Sequence, residues 1–251
     1  MSVITVNGEI DAKNLGITLA HEHLFIDITW AVPEIKDPVR KALFNKKIEL
    51  ENLGILRRIP TAIRENCILD DEKLIESELH IFKNAGGDTI IDQSSRGINY
   101  DPLAARRLAR ATDVNIVLGT GHYTTNLHPS DMDDRTTGDF EKEYLADIID
   151  GIDGTGVRAG ILGELGVSTE LHTNEKKVLI ASAQVSKKAG VAISVHIPGK
   201  LKQDDYPLGL TALDIITNVG ADPEKVAICH ANARNINLEY CLEVLERGAY
   251  L

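Results

Sequence analysis

A chain of 251 residues with 43% apolar and 26% charged residues has the composition of a folded globular protein, which excludes general disorder. Its formal net charge of −11 and its 4% aromatic content argue against a nucleic-acid-binding or anionic-membrane surface, because such surfaces need basic patches or stacking platforms. Three cysteines without a C-x-x-C pair, no secretory signal and no apolar run of roughly 18 residues predict a protein of the reducing cytoplasm.

Six short apolar runs, rich in Ile and Val, recur along the chain, and each predicts a parallel strand that is buried on both faces. In chain order the runs are GITLAHEHLFI from Gly16, DTIIDQSS from Asp88, NIVLGTGHY from Asn115, RAGILGELG from Arg158, VAISVHIPG from Val191 and KVAICHAN from Lys225. The last four residues, GAYL, are expected to begin a seventh strand.

Amphipathic segments with recognisable ends separate these runs and predict helices. We expect helices over residues 74–84, over LAARRLARAT after the start signal Asp101-Pro102, over EKKVLIASAQVSKKA between Asn174 and Gly190, and over residues 238–247. The alternation of strand and helix predicts βαβ units around one parallel sheet, and the lack of a linker favours a single domain over residues 1–251.

Residues 30–71 depart from this rhythm. Pro33, Pro38 and Pro60, together with many charges, predict a long and partly helical insertion after the first predicted strand. Such loops often carry pocket residues in barrel enzymes. A solvated excursion without a functional role is the alternative.

Four of the predicted strands end in side chains that bind divalent metals. The five side chains are His21, His23, Glu164, His196 and His230. In a strand, residues two apart point to one side, so the two imidazoles of His21-Glu22-His23 can face one ion. The carboxyl ends of parallel barrel strands meet at one face, where we expect all five to converge. A carboxylate inside the apolar run ILGEL is costly unless it is paired or metal-bound, which favours a metal site over separate core polar groups.

The segments GITLAHEHLFID, RAGILGELGVS, AISVHIPG and KVAICHAN resemble the phosphotriesterase family of the amidohydrolase superfamily, from about residue 8 onwards. The resemblance implies a (β/α)8 TIM barrel with two divalent metal ions, usually zinc. It implies that His21 and His23 bind the more buried ion, and His196 and His230 the more exposed one. Glu164 would bridge the two ions, which is similar to the branch of phosphotriesterase homology proteins, since better-known members use a carboxylated lysine there.

The resemblance also implies an activity, namely hydrolysis of an ester, lactone or related bond in a small-molecule substrate. A hydroxide that bridges the two metals would attack, and Glu164 would hold the ions together. His122 and Tyr123, in GTGHY after the third predicted strand, are expected to line the substrate pocket. Arg96 is expected to contact an anionic substrate group, and Asp92 either to orient a ligand histidine or to form buried hydrogen bonds. A homodimer is common in the family.

One part of the family pattern has no match in this sequence. The family places a carboxylate at the end of the eighth strand, but no Asp follows Asp222, and the barrel would lack its last strands. We therefore keep two hypotheses, a metal-dependent hydrolase that is C-terminally incomplete here and a non-catalytic binding protein on a degenerate, truncated barrel. A third hypothesis, acid and base catalysis by the histidines without metal, is disfavoured by the number of ligands on one rim.

Overall fold

The computed structural model describes residues 2–198, 207–231 and 237–251, and it begins with a hairpin that was not predicted. Strands β1 (Ser2–Thr5) and β2 (Gly8–Asp11) pair antiparallel, with Thr5 opposite Gly8. Gly8 has a φ of +121°, a conformation that disfavours any residue with a Cβ. The Asn7-Gly8 step is a strong hairpin signal and could have revealed this turn.

The six predicted strands form one parallel sheet in which chain neighbours are also sheet neighbours, as βαβ units require. In sheet order they are β3 (Thr18–Glu22), β6 (Thr89–Asp92), β7 (Asn115–Thr120), β8 (Ile161–Gly166), β9 (Ala192–His196) and β10 (Val226–Ile228). Tyr250 then forms a parallel bridge to Ala227, so GAYL begins a seventh strand as predicted. The sheet curls as part of a (β/α)8 barrel, which confirms the fold class, and within the described ranges it does not close.

Eight helices are described along the chain. They are α1 (Pro38–Phe44), α2 (Leu53–Leu56), α3 (Glu72–Asn84), α4 (Pro102–Thr112), α5 (Thr137–Ile149), α6 (Thr173–Ala189), α7 (Pro207–Asn218) and α8 (Leu238–Glu246). None of them, over the part of the chain that the structure describes, is long and apolar enough to cross a membrane.

The helix ends follow local capping chemistry, and two predictions need correction. Asp101 caps α4 as expected, because its Oδ1 accepts from Ala104 N at 2.9 Å. Helix α3 starts two residues before the predicted Leu74, because Asp71 accepts from the first free backbone amides of this helix. Asn174 is not the cap of α6: Nδ1 of His172 accepts from Asn174 N at 3.2 Å and takes that role.

The segment predicted as an insertion leaves the barrel on one short strand and returns on another. Strand β4 (Ile26–Asp27) pairs antiparallel with β5 (Ile68–Leu69) and closes the base of the segment. Between them lie α1, α2 and several 3-10 turns. The ribbon fixes both ends of the excursion next to β3, so its first residues stay near the carboxyl end of that strand.

The buried side chains of the sheet change from apolar to polar along the strands. Leu162, Leu165, Ile193 and Val195 are fully buried and pack in the apolar core. Buried polar residues concentrate towards the carboxyl ends, and they include Asp92, Gln93, Ser94, Ser95, Thr120 and Glu164. Burying polar groups is costly unless they find partners, so this end of the sheet is where a functional site is expected.

Candidate metal centre

Glu164 lies at the centre of the polar end of the sheet and contacts four histidines. Its Oε2 is 3.1 Å from His196 Nδ1, 3.1 Å from His230 Nε2 and 3.3 Å from His21 Nε2. Its Oε1 is 3.6 Å from His23 Nε2. Glu164 is 2% exposed. One buried carboxylate therefore joins side chains from three other strands, and the structure brings together all five predicted ligands.

The five side chains form two overlapping groups. Within each group the ligand atoms lie within 4.8 Å of one another. The groups are His21, His23 and Glu164, and Glu164, His196 and His230. Glu164 is the member that they share, which is the arrangement that two neighbouring cations with one bridging carboxylate need.

Each ligand is positioned by the strand that carries it. His21 lies in β3 and His23 directly after it, while Glu22 between them is exposed on the other face, as strand alternation predicts. His196 is the last residue of β9. Glu164 was predicted at the end of its strand, but it lies inside β8, where the pairing register with β9 shifts between Leu162 and Leu165.

A hydrogen-bond chain fixes the proton on the His23 ring. Ser94 Oγ donates to the carbonyl oxygen of Phe25 at 3.2 Å, so at 3.0 Å from His23 Nδ1 it accepts the ring proton. Nε2 of His23 then carries a lone pair that faces Oε1 of Glu164. Two acceptors aimed at each other repel unless a cation lies between them, so this contact fits a metal site.

The buried ring nitrogen of His21 supports the same fit. Its Nε2 makes no hydrogen bond within the described residues, although it lies 3.3 Å from Oε2 of Glu164. Donors about 2.1 Å from a tetrahedral cation lie about 3.4 Å apart, close to this separation. Neutral imidazoles with a carboxylate are a donor set that Zn and similar divalent metals accept. The residues present therefore fit two divalent cations.

The electrostatics of the cluster are dominated by its one carboxylate. Burial raises the pKa of Glu164, but its close contacts with the rings of His196, His21 and His23 outweigh burial and hold this pKa well below its usual range. Burial lowers the pKa of His21, but the neighbouring Cys229 and Glu164 raise it to about 10, so a cation that binds this ring would displace a proton. Glu164 is thus an anion, and its charge is available to cations placed between the rings.

Asp92 acts on the cluster through one intervening residue. It is 1% exposed, and its Oδ1 accepts from Ser94 N at 2.9 Å. Ser94 in turn contacts His23, so the two expected roles of Asp92, orienting a ligand and forming buried hydrogen bonds, coincide. Ser94 was missed in the sequence, where DQSS after the second predicted strand was the available signal.

Tyr123 reaches the cluster, and the insertion contributes a second aromatic residue beside it. The Tyr123 hydroxyl lies 3.0 Å from Nε2 and 3.1 Å from Nδ1 of His196. The Trp30 ring contacts the Tyr123 ring edge-on, with 5.9 Å between centroids. Trp30 was not among the predicted site residues, although the insertion that carries it was expected to reach a pocket.

His122 does not face the cluster. It is 1% exposed, its Nδ1 lies 2.7 Å from the Tyr144 hydroxyl, and its ring contacts Phe140 edge-on at 5.5 Å. Consecutive extended residues point in opposite directions, so when Tyr123 turns to the cluster, His122 turns into the core against α5. The structure therefore places His122 in the core rather than along a substrate pocket.

Arg96 is also held away from the cluster. Its guanidinium binds Asp147 and Asp153, both at 2.8 Å, and its Nε lies 3.0 Å from Glu143. Its donors are engaged by carboxylates, so the expected contact with an anionic substrate group is replaced by a structural network.

The buried His122 makes stability depend on pH. Burial, followed by the nearby charges of Arg96 and Arg135, lowers its pKa from 6.5 to about 2. Below pH 6.5 this histidine is protonated in the unfolded chain but stays neutral in the folded chain. The free energy of unfolding therefore keeps the full contribution of His122 above pH 6.5 and decreases as the pH falls below that value, by about 1.4 kcal/mol per pH unit. Urea unfolding between pH 7 and 4.5 should therefore show a shallower decline for His122→Gln than for the wild type. Equal slopes would contradict this prediction.

The sequence comparisons decide the family. The model of the phosphotriesterase family matches residues 1–251. This chain belongs to the phosphotriesterase family. It is 33% identical over 251 residues to the N-acetyltaurine hydrolase of Xenopus tropicalis, covering 99% of this chain and 70% of that protein. It is 31% identical over 250 residues to a phosphotriesterase-related protein of Nematostella vectensis, covering 98% of this chain and 70% of that protein.

Two solved structures share this architecture. A resiniferatoxin-binding protein from Rhodobacter sphaeroides aligns with a TM-score of 0.94 and 34% identity, over 100% of this chain and 68% of that chain. A phosphotriesterase homology protein from Escherichia coli, solved with phosphate in its active site, aligns with a TM-score of 0.75 and 26% identity, over 96% and 70%. The predicted family and the assignment as a hydrolase of the phosphotriesterase-related type are confirmed.

Proposed function

We propose that this protein is a metal-dependent hydrolase that cleaves a carbonyl-containing ester, lactone or amide bond with a hydroxide shared by two divalent cations, with zinc as the favoured metal. One observation carries the proposal: the two oxygens of Glu164 lie 3.1–3.6 Å from ring nitrogens of four histidines, which come from the ends of three other strands. The family assignment supports hydrolysis as the reaction class.

The residues of this chain would each take a distinct part. Two divalent cations bound here would supply Lewis acidity and lower the pKa of a shared water. Glu164 offsets the repulsion between the two positive charges, and Ser94 keeps the His23 ring in the tautomer whose Nε2 can bind a cation. The Tyr123 hydroxyl, beside His196, is placed to donate a hydrogen bond to a substrate carbonyl.

An N-acyl amine is the first substrate class to test. Several relatives are named N-acetyltaurine hydrolase, among them the Xenopus tropicalis and human proteins, which are 33% and 31% identical to this chain over the aligned residues. Their name describes cleavage of an amide. A hydroxide nucleophile and a polarised carbonyl oxygen suit amides, esters and lactones alike, so all three belong in one screen.

A binding protein is the second candidate. The structure with a TM-score of 0.94 to this chain is named for binding resiniferatoxin rather than for a reaction. In this alternative the same cluster would hold metal or ligand without turnover.

A hydrolysis screen separates the two candidates. Zinc-loaded and chelator-treated protein would be incubated with N-acyl amines, lactones, aryl esters and phosphoesters, and metal content would be measured in parallel. The hydrolase predicts about two metal ions per chain and turnover that disappears on chelation and returns with metal. Bound metal without turnover of any class would support the binding protein. Turnover that survives complete removal of metal would overturn the metal mechanism.

A further inference from the structure

A pair of aromatic rings leads from the insertion to the cluster. Trp30 is the only tryptophan of the protein, and its indole contacts Tyr123. The Tyr123 ring in turn lies 4.7 Å from the His196 ring, between centroids. We call Trp30 and Tyr123 together the aromatic wall. The wall ends at one of the two groups of candidate metal ligands.

The two members of the aromatic wall differ in exposure. Tyr123 is 8% exposed and belongs to the floor of the site, whereas Trp30 is 37% exposed. An indole with one part packed on Tyr123 and another part open to solvent offers apolar area to a molecule that arrives at the cluster. Aromatic rings gain energy from edge-to-face and offset contacts beyond the area that they bury.

Trp30 is held in place before any ligand arrives. It lies in the 3-10 turn Thr29–Ala31, and Asp27 Oδ1 holds the first residue of this turn by accepting from the backbone and hydroxyl of Thr29, at 2.8 and 2.6 Å. Ile28 N donates to Cys67 O at 2.9 Å, which ties the turn to the returning end of the insertion. A pre-positioned side chain loses little conformational entropy when a ligand binds.

The aromatic wall can select substrates through apolar contact rather than through charge. Both of its members are aromatic, and the guanidinium of Arg96, which was expected to contact an anionic substrate group, is engaged by carboxylates. A planar apolar group next to the scissile bond can pack against the indole while the carbonyl lies near the Tyr123 hydroxyl.

We propose that Trp30 is a specificity-determining residue that binds a planar apolar group of the substrate, so that aryl amides and esters bind better than their methyl counterparts. The position of the scissile bond in this inference rests on the proposed function, but binding can be measured apart from hydrolysis. Tyr123 forms the inner part of the same surface.

The test measures affinity with simple amides. Ligand-observed NMR on the zinc-loaded full chain would compare acetanilide with N-methylacetamide, and N-cyclohexylacetamide would separate planarity from size. We expect about tenfold tighter binding of acetanilide than of N-methylacetamide, with N-cyclohexylacetamide between them. Acetanilide should also change the fluorescence of Trp30, which is the only indole reporter.

Three variants make the result decisive. Trp30→Ala should reduce the aryl preference to about twofold, and Trp30→Phe should keep most of it, because a smaller ring still stacks. Ile48→Ala is the matched control: Ile48 lies in the same insertion and is also 37% exposed, but it is not part of the wall. An aryl preference that is absent from the wild type, or equal in wild type and Trp30→Ala, overturns the inference. A preference that depends on Trp30 in a protein without turnover supports the inference and contradicts the proposed hydrolase.

Discussion

Glu164→Gln is expected to remove most of the bound metal and to lower hydrolysis by about 100-fold or more. Changes to residues that merely support a ligand already cost about 10–100-fold in metal affinity or activity, and Glu164 is the one side chain shared by both groups. Gln keeps the shape and one carbonyl oxygen but loses the negative charge that the four histidines surround. Metal analysis of purified protein and rates on the best substrate of the screen would measure both effects.

Glu22→Gln is the matched control for this experiment. Glu22 lies between His21 and His23 in sequence, but its side chain is exposed on the other face of β3. The control removes the same charge from a residue that is adjacent in sequence to both His21 and His23. Because that charge lies outside the cluster, metal content and rate should stay near wild type. Full metal occupancy in Glu164→Gln, or equal losses in both variants, would contradict the bridging role.

Arg96→Met is expected to destabilise the fold by about 3–5 kcal/mol, the largest stability effect that we predict. The Arg96 side chain is 14% exposed and that of Asp147 is 4% exposed, so this ion pair is largely shielded from water. Methionine fills a similar volume but leaves Asp147 buried without a charge partner. Thr120, which also donates to Asp147, cannot neutralise that charge. Urea unfolding at neutral pH would measure the loss.

Arg107→Met provides the comparison for a solvated pair. Arg107 binds Glu72 through two hydrogen bonds, at 2.8 and 2.7 Å, but its side chain is 57% exposed. Water screens the charges of such a pair, so its loss should cost about 1 kcal/mol or less. If Arg96→Met lowers the free energy of unfolding no more than Arg107→Met does, burial of the Arg96 network does not stabilise the protein.

Local sequence patterns were sufficient to predict the sheet and the convergence of the five candidate ligands. Continuous apolar runs such as GILGEL indicate buried parallel strands, and a side chain near the carboxyl end of such a strand lies on the rim of the barrel whatever the loops do. The H-x-H spacing in β3 puts both imidazoles on one face, since strand alternation is a property of the backbone.

The direction in which a side chain points was harder to predict where the chain leaves a strand. His122 and Tyr123 are adjacent in GTGHY, and nothing in that sequence says which of them turns to the cluster. The packing of His122 against Tyr144 in α5 decides the question. Likewise the carboxylates that engage Arg96 come from residues 143–153, which the sequence does not mark as its partners.

The sequence by itself determined the barrel class, the family and the set of candidate metal ligands, because these depend on short-range periodicity and on motifs at strand ends. The tertiary structure alone decided that Ser94 sets the tautomer of His23, 71 residues away, and that Trp30 packs on Tyr123. Such contacts depend on how distant loops meet above the sheet, and meeting there is a consequence of the folded geometry that no local pattern encodes.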